Sequence, residues 1–203
     1  MKKILSLNDI KSKIKLVCWD LDGTLFDTET MWYNMDKIIV EKYGKNLSME
    51  ETSKISEKIA ADAYKTIGYR ANAEKTLNYL KKINVKQVLI NRCDLTNKTM
   101  FSNETVNNLF SFDKFDYIVS EKMFIDKFDN EDMYKKALDI TEILEPKSVV
   151  AICDMPFELK AAKNIGIITI WAKNKDYPFT EDELKEIEEM ADYYIEDFAE
   201  LIA

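Results

Sequence analysis

Histidine is absent from all 203 residues. Its absence excludes Ser-His-Asp and Cys-His hydrolases, and with them His-ligated zinc sites. Any general acid or base working near neutral pH must then be a tuned carboxylate, lysine, cysteine or tyrosine. Cysteine is scarce as well: three residues, odd in number and widely spaced. That pattern fits a reduced intracellular protein without a disulfide framework and makes the cytoplasm the expected location. No apolar run approaches the roughly 18 residues of a membrane span, so no membrane partner is expected. The start, Met1-Lys2-Lys3-Ile4-Leu5-Ser6, is charged, but its apolar run is too short for a signal peptide and no small-residue cleavage site follows. Positive charge is the minority sign, with 29 Lys and Arg against 37 Asp and Glu, a net charge of −8 and a pI near 4.8. A nucleic-acid backbone is therefore a poor partner. Single nucleotides and sugar phosphates stay open, because one local cationic pocket would suffice.

What is present is apolar enough to fold. The hydrophobic fraction is 46%, which argues against disorder, and the length allows one ordinary domain plus a small insert. Short β-rich runs recur at Leu16–Trp19, Val88–Ile90, Tyr117–Val119, Val149–Ile152 and Ile167–Ile170. They are too short for helices and lack clean alternation, as expected of strands buried on both faces. Helical patterns lie between them, over Ala73–Ile83, Glu131–Leu144 and Phe157–Asn164, the last closed by Gly166. This alternation predicts an α/β fold, a doubly wound parallel sheet with helices on both faces. After Pro178, a helix over Glu181–Met190 precedes a short apolar run at Tyr193–Ile195.

Residues 29–68 interrupt the alternation. Met31, Met35, Ile38 and Ile39 form one helical stripe, and Ile55, Ile59, Ala63 and Ile67 a second. Ser48 with Glu51 three residues on reads as a capping box that opens the second helix.

The chemistry concentrates in Val17-Cys18-Trp19-Asp20-Leu21-Asp22-Gly23-Thr24-Leu25-Phe26. An apolar strand ends in two carboxylates spaced two apart, which an extended backbone points the same way. Gly23 permits the sharp turn just beyond them. Asp-x-Asp-Gly also opens calcium loops, but those require a glutamate at the twelfth position, and counting from Asp20 that position is Met31. Two acids and a hydroxyl at a strand tip instead suit a nucleophile, a proton donor and a divalent cation.

The segment resembles motif I of the haloacid dehalogenase superfamily of phosphohydrolases. A second match is Ile152-Cys153-Asp154-Met155-Pro156-Phe157-Glu158. It resembles the superfamily's acidic Gly-Asp-x-x-x-Asp motif, with Cys153 for the glycine and Glu158 for the second aspartate. The resemblance spans nearly the whole chain and implies a Rossmann-like core over 1–28 and 69–203 with a small helical cap over 29–68, similar to the superfamily's first cap class but shorter. It implies that Asp20 is the nucleophile, forming an aspartyl-phosphate, and that Asp22 protonates the leaving group and then activates water. Relatives that act on carbon–halogen bonds usually lack that second acid, so Asp22 favours phosphate chemistry. The implied cofactor is Mg2+, held by Asp20, the main-chain carbonyl of Asp22 and Asp154, with Glu158 holding a metal-bound water. The phosphate-binding residues implied are Thr24, Asn91 and Arg92, the last two standing where relatives carry Ser or Thr. The lysine that neutralises the phosphoryl group falls best at Lys127, with Lys122 as a competitor.

The expected function is Mg2+-dependent hydrolysis of a small phosphorylated metabolite by a monomer or homodimer, with residues 29–68 as a partial lid. The same parts would also serve a phosphomutase, or a catalytically weak binding or regulatory relative. Cys18, Cys93 and Cys153 each fall within two residues of a position named above. They read as small buried residues, or more sharply as a cluster whose oxidation would inhibit.

Overall fold

A computed structural model describes residues 2–3, 7, 10, 14–64, 66–91, 112–120, 123–124, 129–175 and 177–203. Strands β1 (Lys2–Lys3), β2 (Leu16–Trp19), β3 (Lys86–Asn91), β4 (Tyr117–Ser120), β5 (Val149–Cys153), β6 (Ile168–Ala172) and β7 (Tyr193–Ile195) form one sheet. Its order is β1-β7-β6-β5-β2-β3-β4, and every pairing is parallel. From β2 the chain moves outward through β3 and β4, then returns to β2's other side with β5 and runs outward again. The direction therefore reverses between β2 and β5, the position where open α/β sheets place ligands beyond their strand ends.

Alternation within the strands explains why both faces carry helices. On β2, Val17 and Trp19 join one core cluster while Leu16 and Cys18 join another. On β5, Val150 and Ile152 face the first and Val149 and Ala151 the second. Helix α4 (Ala73–Lys82) covers the first face with Ala73, Leu77 and Leu80. Helices α5 (Asn130–Thr141) and α6 (Pro156–Asn164) cover the second with Met133, Tyr134, Ala137, Ala161 and Ala162. A smaller cluster seats Ile187 of α7 (Glu181–Met190) against Leu159 and Trp171.

Three helices fill the stretch between β2 and α4: α1 (Glu29–Tyr33), α2 (Met35–Tyr43) and α3 (Met49–Ala63). The first apolar stripe was expected to be one helix, and it is two. The chain breaks at Asn34, where φ is −92° and ψ 3° and the side-chain Nδ2 donates to Thr30 O at 2.7 Å. An asparagine that hydrogen-bonds its own backbone offers an alternative to the helical ladder. The Ser48/Glu51 capping box is formed, with Glu51 N donating to Ser48 Oγ and Ser48 N to Glu51 Oε2. Ile67 lies beyond α3, which ends at Ala63. Likewise α5 stops at Thr141, because Glu142 turns left-handed at φ 57°, so Leu144 lies past the helix end and is exposed. Gly166 closes α6 at φ 85°, and Ile167 N reaches back to Ala162 O at 3.1 Å. Among the described residues, no helix is long and apolar enough to cross a membrane.

Candidate active site

β2 ends at Trp19, and the next residue hands its backbone to β5: Asp20 N donates to Ile152 O at 3.0 Å. That bond places Asp20 beside the end of β5, and Asp154 follows β5's last residue. The chain then turns through Gly23 at φ 77°, a left-handed conformation that glycine adopts without a Cβ penalty. Arg70, which follows the three helices, fixes this turn from outside. Its Nη1 donates to Gly23 O at 2.7 Å and its Nη2 to Lys173 O at 2.7 Å, while its backbone N–H bonds Leu25 O at 2.8 Å.

Asp20, Asp154 and Glu158 offer carboxylate oxygens that all lie within 4.8 Å of one another. Glu158 sits in the first turn of α6, so sheet and helix both feed the cluster. Asp20 is 8% exposed and Asp154 1%. Burial first, and then the charges of Glu158, Asp154 and Asp22, push the Asp20 carboxyl well above the usual carboxylate range; a hydrogen bond from Thr24 opposes this. Asp20 Oδ2 is buried and has no hydrogen-bond partner among the described residues.

Thr24, expected to face phosphate, is wholly buried, and its hydroxyl donates to Asp154 Oδ1 at 3.2 Å. The Asp154 main chain is held as well, its carbonyl accepting from Trp171 Nε1 at 3.0 Å. Asp22 faces a different set of partners. Thr28 Oγ1 donates to its Oδ1 at 2.7 Å while accepting from Gly23 N, and Tyr64 OH donates to the same carboxylate oxygen. Burial raises the Asp22 pKa, while the hydrogen bonds from Tyr64 and Thr28 pull it back. Two carboxylates two residues apart thus sit in distinct surroundings, one among like charges and one among donors.

Asp20, Asp22, Asn91, Asp154 and Glu158 line one cavity of about 500 Å3, together with Trp32, Tyr33, Met155, Phe157 and Tyr177. Asn91, the last residue of β3, is where the sequence placed it. Arg92, Lys127, the competing Lys122 and Cys93 lie outside the described residues. Of the two cysteine readings, the buried one holds for Cys18 and Cys153, which lie in the core, where burial pushes both thiols upward, away from the reactive thiolate.

The sequence reading missed Thr28, Tyr64, Trp32, Tyr33 and Tyr177. Only the fold brings them in, since Tyr64 is 42 residues from Asp22. A weak signal existed for Thr28, a hydroxyl on the turn just after motif I.

The donor set suits a magnesium ion. Three acidic side chains converge, one carries an unpartnered buried oxygen, and among the described residues no Lys or Arg lines the cavity to balance them. A hard divalent cation takes oxygen ligands and keeps several waters, so these few side chains suffice.

Residues 17–109 match the family model described as haloacid dehalogenase-like hydrolase. No curated protein matches the chain. Among solved structures, a haloacid dehalogenase-like hydrolase, SP0104 from Streptococcus pneumoniae, is similar at 19% identity and a TM-score of 0.71, covering 93% of this chain and 97% of that one. CbbY from Rhodobacter sphaeroides, solved with xylulose 1,5-bisphosphate, is similar at 17% identity and a TM-score of 0.68, covering 92% and 95%. A β-phosphoglucomutase from Clostridium difficile is similar at 17% identity and a TM-score of 0.62, covering 93% of each chain. The match over 17–109 covers somewhat less than half of the chain and includes the Asp20-to-Thr24 segment, and the solved structures are similar to the chain in fold.

Proposed function

We propose that the chain is a magnesium-dependent phosphatase acting on a small phosphorylated metabolite through an aspartyl-phosphate on Asp20. The observation that carries this reading is the Asp20 carboxylate in the cavity lining: one of its oxygens lies within 4.8 Å of carboxylate oxygens of Asp154 and Glu158, and its Oδ2 is buried with no hydrogen-bond partner among the described residues. Bound there by Asp20, Asp154, the Asp22 carbonyl and, through water, Glu158, the ion would neutralise the phosphoryl oxygens and keep Asp20 ionised. Asp20 attacks phosphorus as the bond to the leaving oxygen breaks, and Asp22 gives that oxygen its proton. Asp22 then takes a proton from water, whose oxygen displaces Asp20 and releases inorganic phosphate. The raised pKa of Asp22 suits the acid role, since it keeps a proton available nearer neutral pH.

Thr28 and Tyr64 orient Asp22, and Thr24 orients Asp154. The Asn91 amide would hydrogen-bond a phosphoryl oxygen, a reading supported by its position in the cavity lining; the phosphate contact of Arg92 and the charge neutralisation by Lys127 rest on the sequence resemblance. Residues 29–68 act as a small cap over the core formed by 1–28 and 69–203, a reading supported by Trp32 and Tyr33 reaching the cavity from α1.

The test is hydrolysis of p-nitrophenyl phosphate with and without Mg2+, with Asp20→Asn as control. Metal-dependent release of phosphate that the substitution abolishes supports the route; release that survives Asp20→Asn overturns it. Labelled phosphate recovered on a second hydroxyl rather than in solution would reassign the chain as a phosphomutase.

A further inference from the structure

The cavity has two unlike halves. Its floor is carboxylate, and its wall is largely aromatic: Trp32 and Tyr33 from α1, Phe157 from the first turn of α6, and Tyr177 from the segment after β6. Tyr33 and Phe157 are presented to open space, 58% and 37% exposed, while Tyr177 is half-buried and Trp32 packs partly against the core. They are also ordered among themselves. Tyr33 meets Tyr177 edge-on at 5.7 Å between centroids, and Tyr177 lies 4.5 Å from Phe179. Phe179 meets Trp171 edge-on at 5.8 Å, and Trp171 holds the Asp154 carbonyl. A continuous series of rings thus runs from α1 down to the residue that anchors the carboxylate floor.

Resting on the phosphatase reading above, we propose that the leaving group is a flat, uncharged aromatic or heteroaromatic alcohol, recognised by Tyr33, Tyr177, Phe157 and Trp32. Ring faces and edges attract another aromatic system beyond simple burial of area. Size agrees as well: a cavity of about 150 Å3 takes a benzene ring, so 500 Å3 accommodates a phosphoryl group and one or two rings.

The experiment uses matched esters, so that bond chemistry does not decide the result. Benzyl phosphate and cyclohexylmethyl phosphate both release a primary alcohol of similar size, and only one is flat. With Mg2+ present, benzyl phosphate is expected to be favoured by about two- to ten-fold in kcat/KM, mainly through KM. Calorimetric titration with the corresponding phosphonates, which cannot turn over, should show the same order in Kd. In Tyr33→Leu and Tyr177→Leu, with folding checked by circular dichroism, the ratio should fall toward one. Equal use of both esters, or a ratio the substitutions do not move, overturns the aromatic site while leaving phosphatase activity standing. Absence of turnover on every ester, with the phosphonate preference intact, overturns the phosphatase reading but upholds the site.

Discussion

The floor and the wall of the cavity are built by opposite strategies. The floor comes from the ends of β2 and β5 and the first turn of α6, where Asp20 and Asp154 are almost fully buried and held by main-chain geometry. The wall comes from a five-residue helix and a loop, and its rings are half-buried or exposed. A nucleophile must be fixed to within a fraction of an ångström, and strand ends paired on both sides provide that. A leaving group only needs a compatible surface, and short exposed elements can change without disturbing the sheet.

The largest effect should come from breaking the floor. On the proposed route Asp20→Asn removes the attacking oxyanion, and turnover of any phosphate ester should fall by at least about 10^4-fold, measured by phosphate release. Residual activity near wild type would mean that the floor is not where bonds change. Asp154→Asn should do nearly as much through the metal. Saturating Mg2+ at about 100 times Kd adds about 2.7 kcal/mol of stability by linkage, and a thermal scan should show that shift in wild type and lose most of it in the variant.

An intermediate effect should come from Asp22, which lies between the two halves. Tyr64→Phe removes a donor that favours the charged carboxylate, so the Asp22 pKa should rise. If Asp22 acts as the acid, its protonated form then persists to higher pH. The alkaline limb of the kcat profile should accordingly move up, with a several-fold drop in kcat where water activation limits. An unmoved profile would separate Tyr64 from the chemistry.

Stability should carry the smallest effect and the opposite sign. Asp20 has a folded-state pKa raised above its unfolded value, so its contribution to stability is fully present below the ordinary carboxylate pKa and is lost as pH rises through the raised one. Without metal, Tm should therefore fall as pH climbs from about 4 toward neutrality. Asp20→Asn should flatten that slope and raise the metal-free Tm at pH 7 by a few degrees. A metal-free variant melting below wild type at pH 7 would show that the Asp20 carboxylate is not strained by its neighbours.

The difference between floor and wall also explains what the sequence could reveal. The positions of Asp20 and Asp154 were legible because each directly follows an apolar strand, and a strand's end is written locally. The strand at Leu16–Trp19 and the helix at Glu181–Met190 were read with their observed limits, since runs of apolar residues and caps fix them. The break at Asn34 was not legible, because Met31, Met35 and Ile38 keep helical spacing across it. It depends on a side chain competing for one backbone carbonyl. Tyr64 and Tyr177 were invisible for another reason. Their relevance arises from contacts across long loops, and no spacing rule links residue 64 to residue 22. β1 could not be foreseen either, as two lysines become a strand only by pairing with β7.

The reversal of strand order between β2 and β5 has a consequence for how the protein is made. The Thr24–Asp154 hydrogen bond closes a separation of 130 residues, so the proposed ion site cannot form on a nascent chain until β5 has left the ribosome. Before then β2 has β3 on one side and nothing on the other. On the proposed reading, magnesium would reward only the completed sheet, and ribosome-bound chains arrested before residue 149 should show no protection by the ion against proteolysis, whereas full-length chains should.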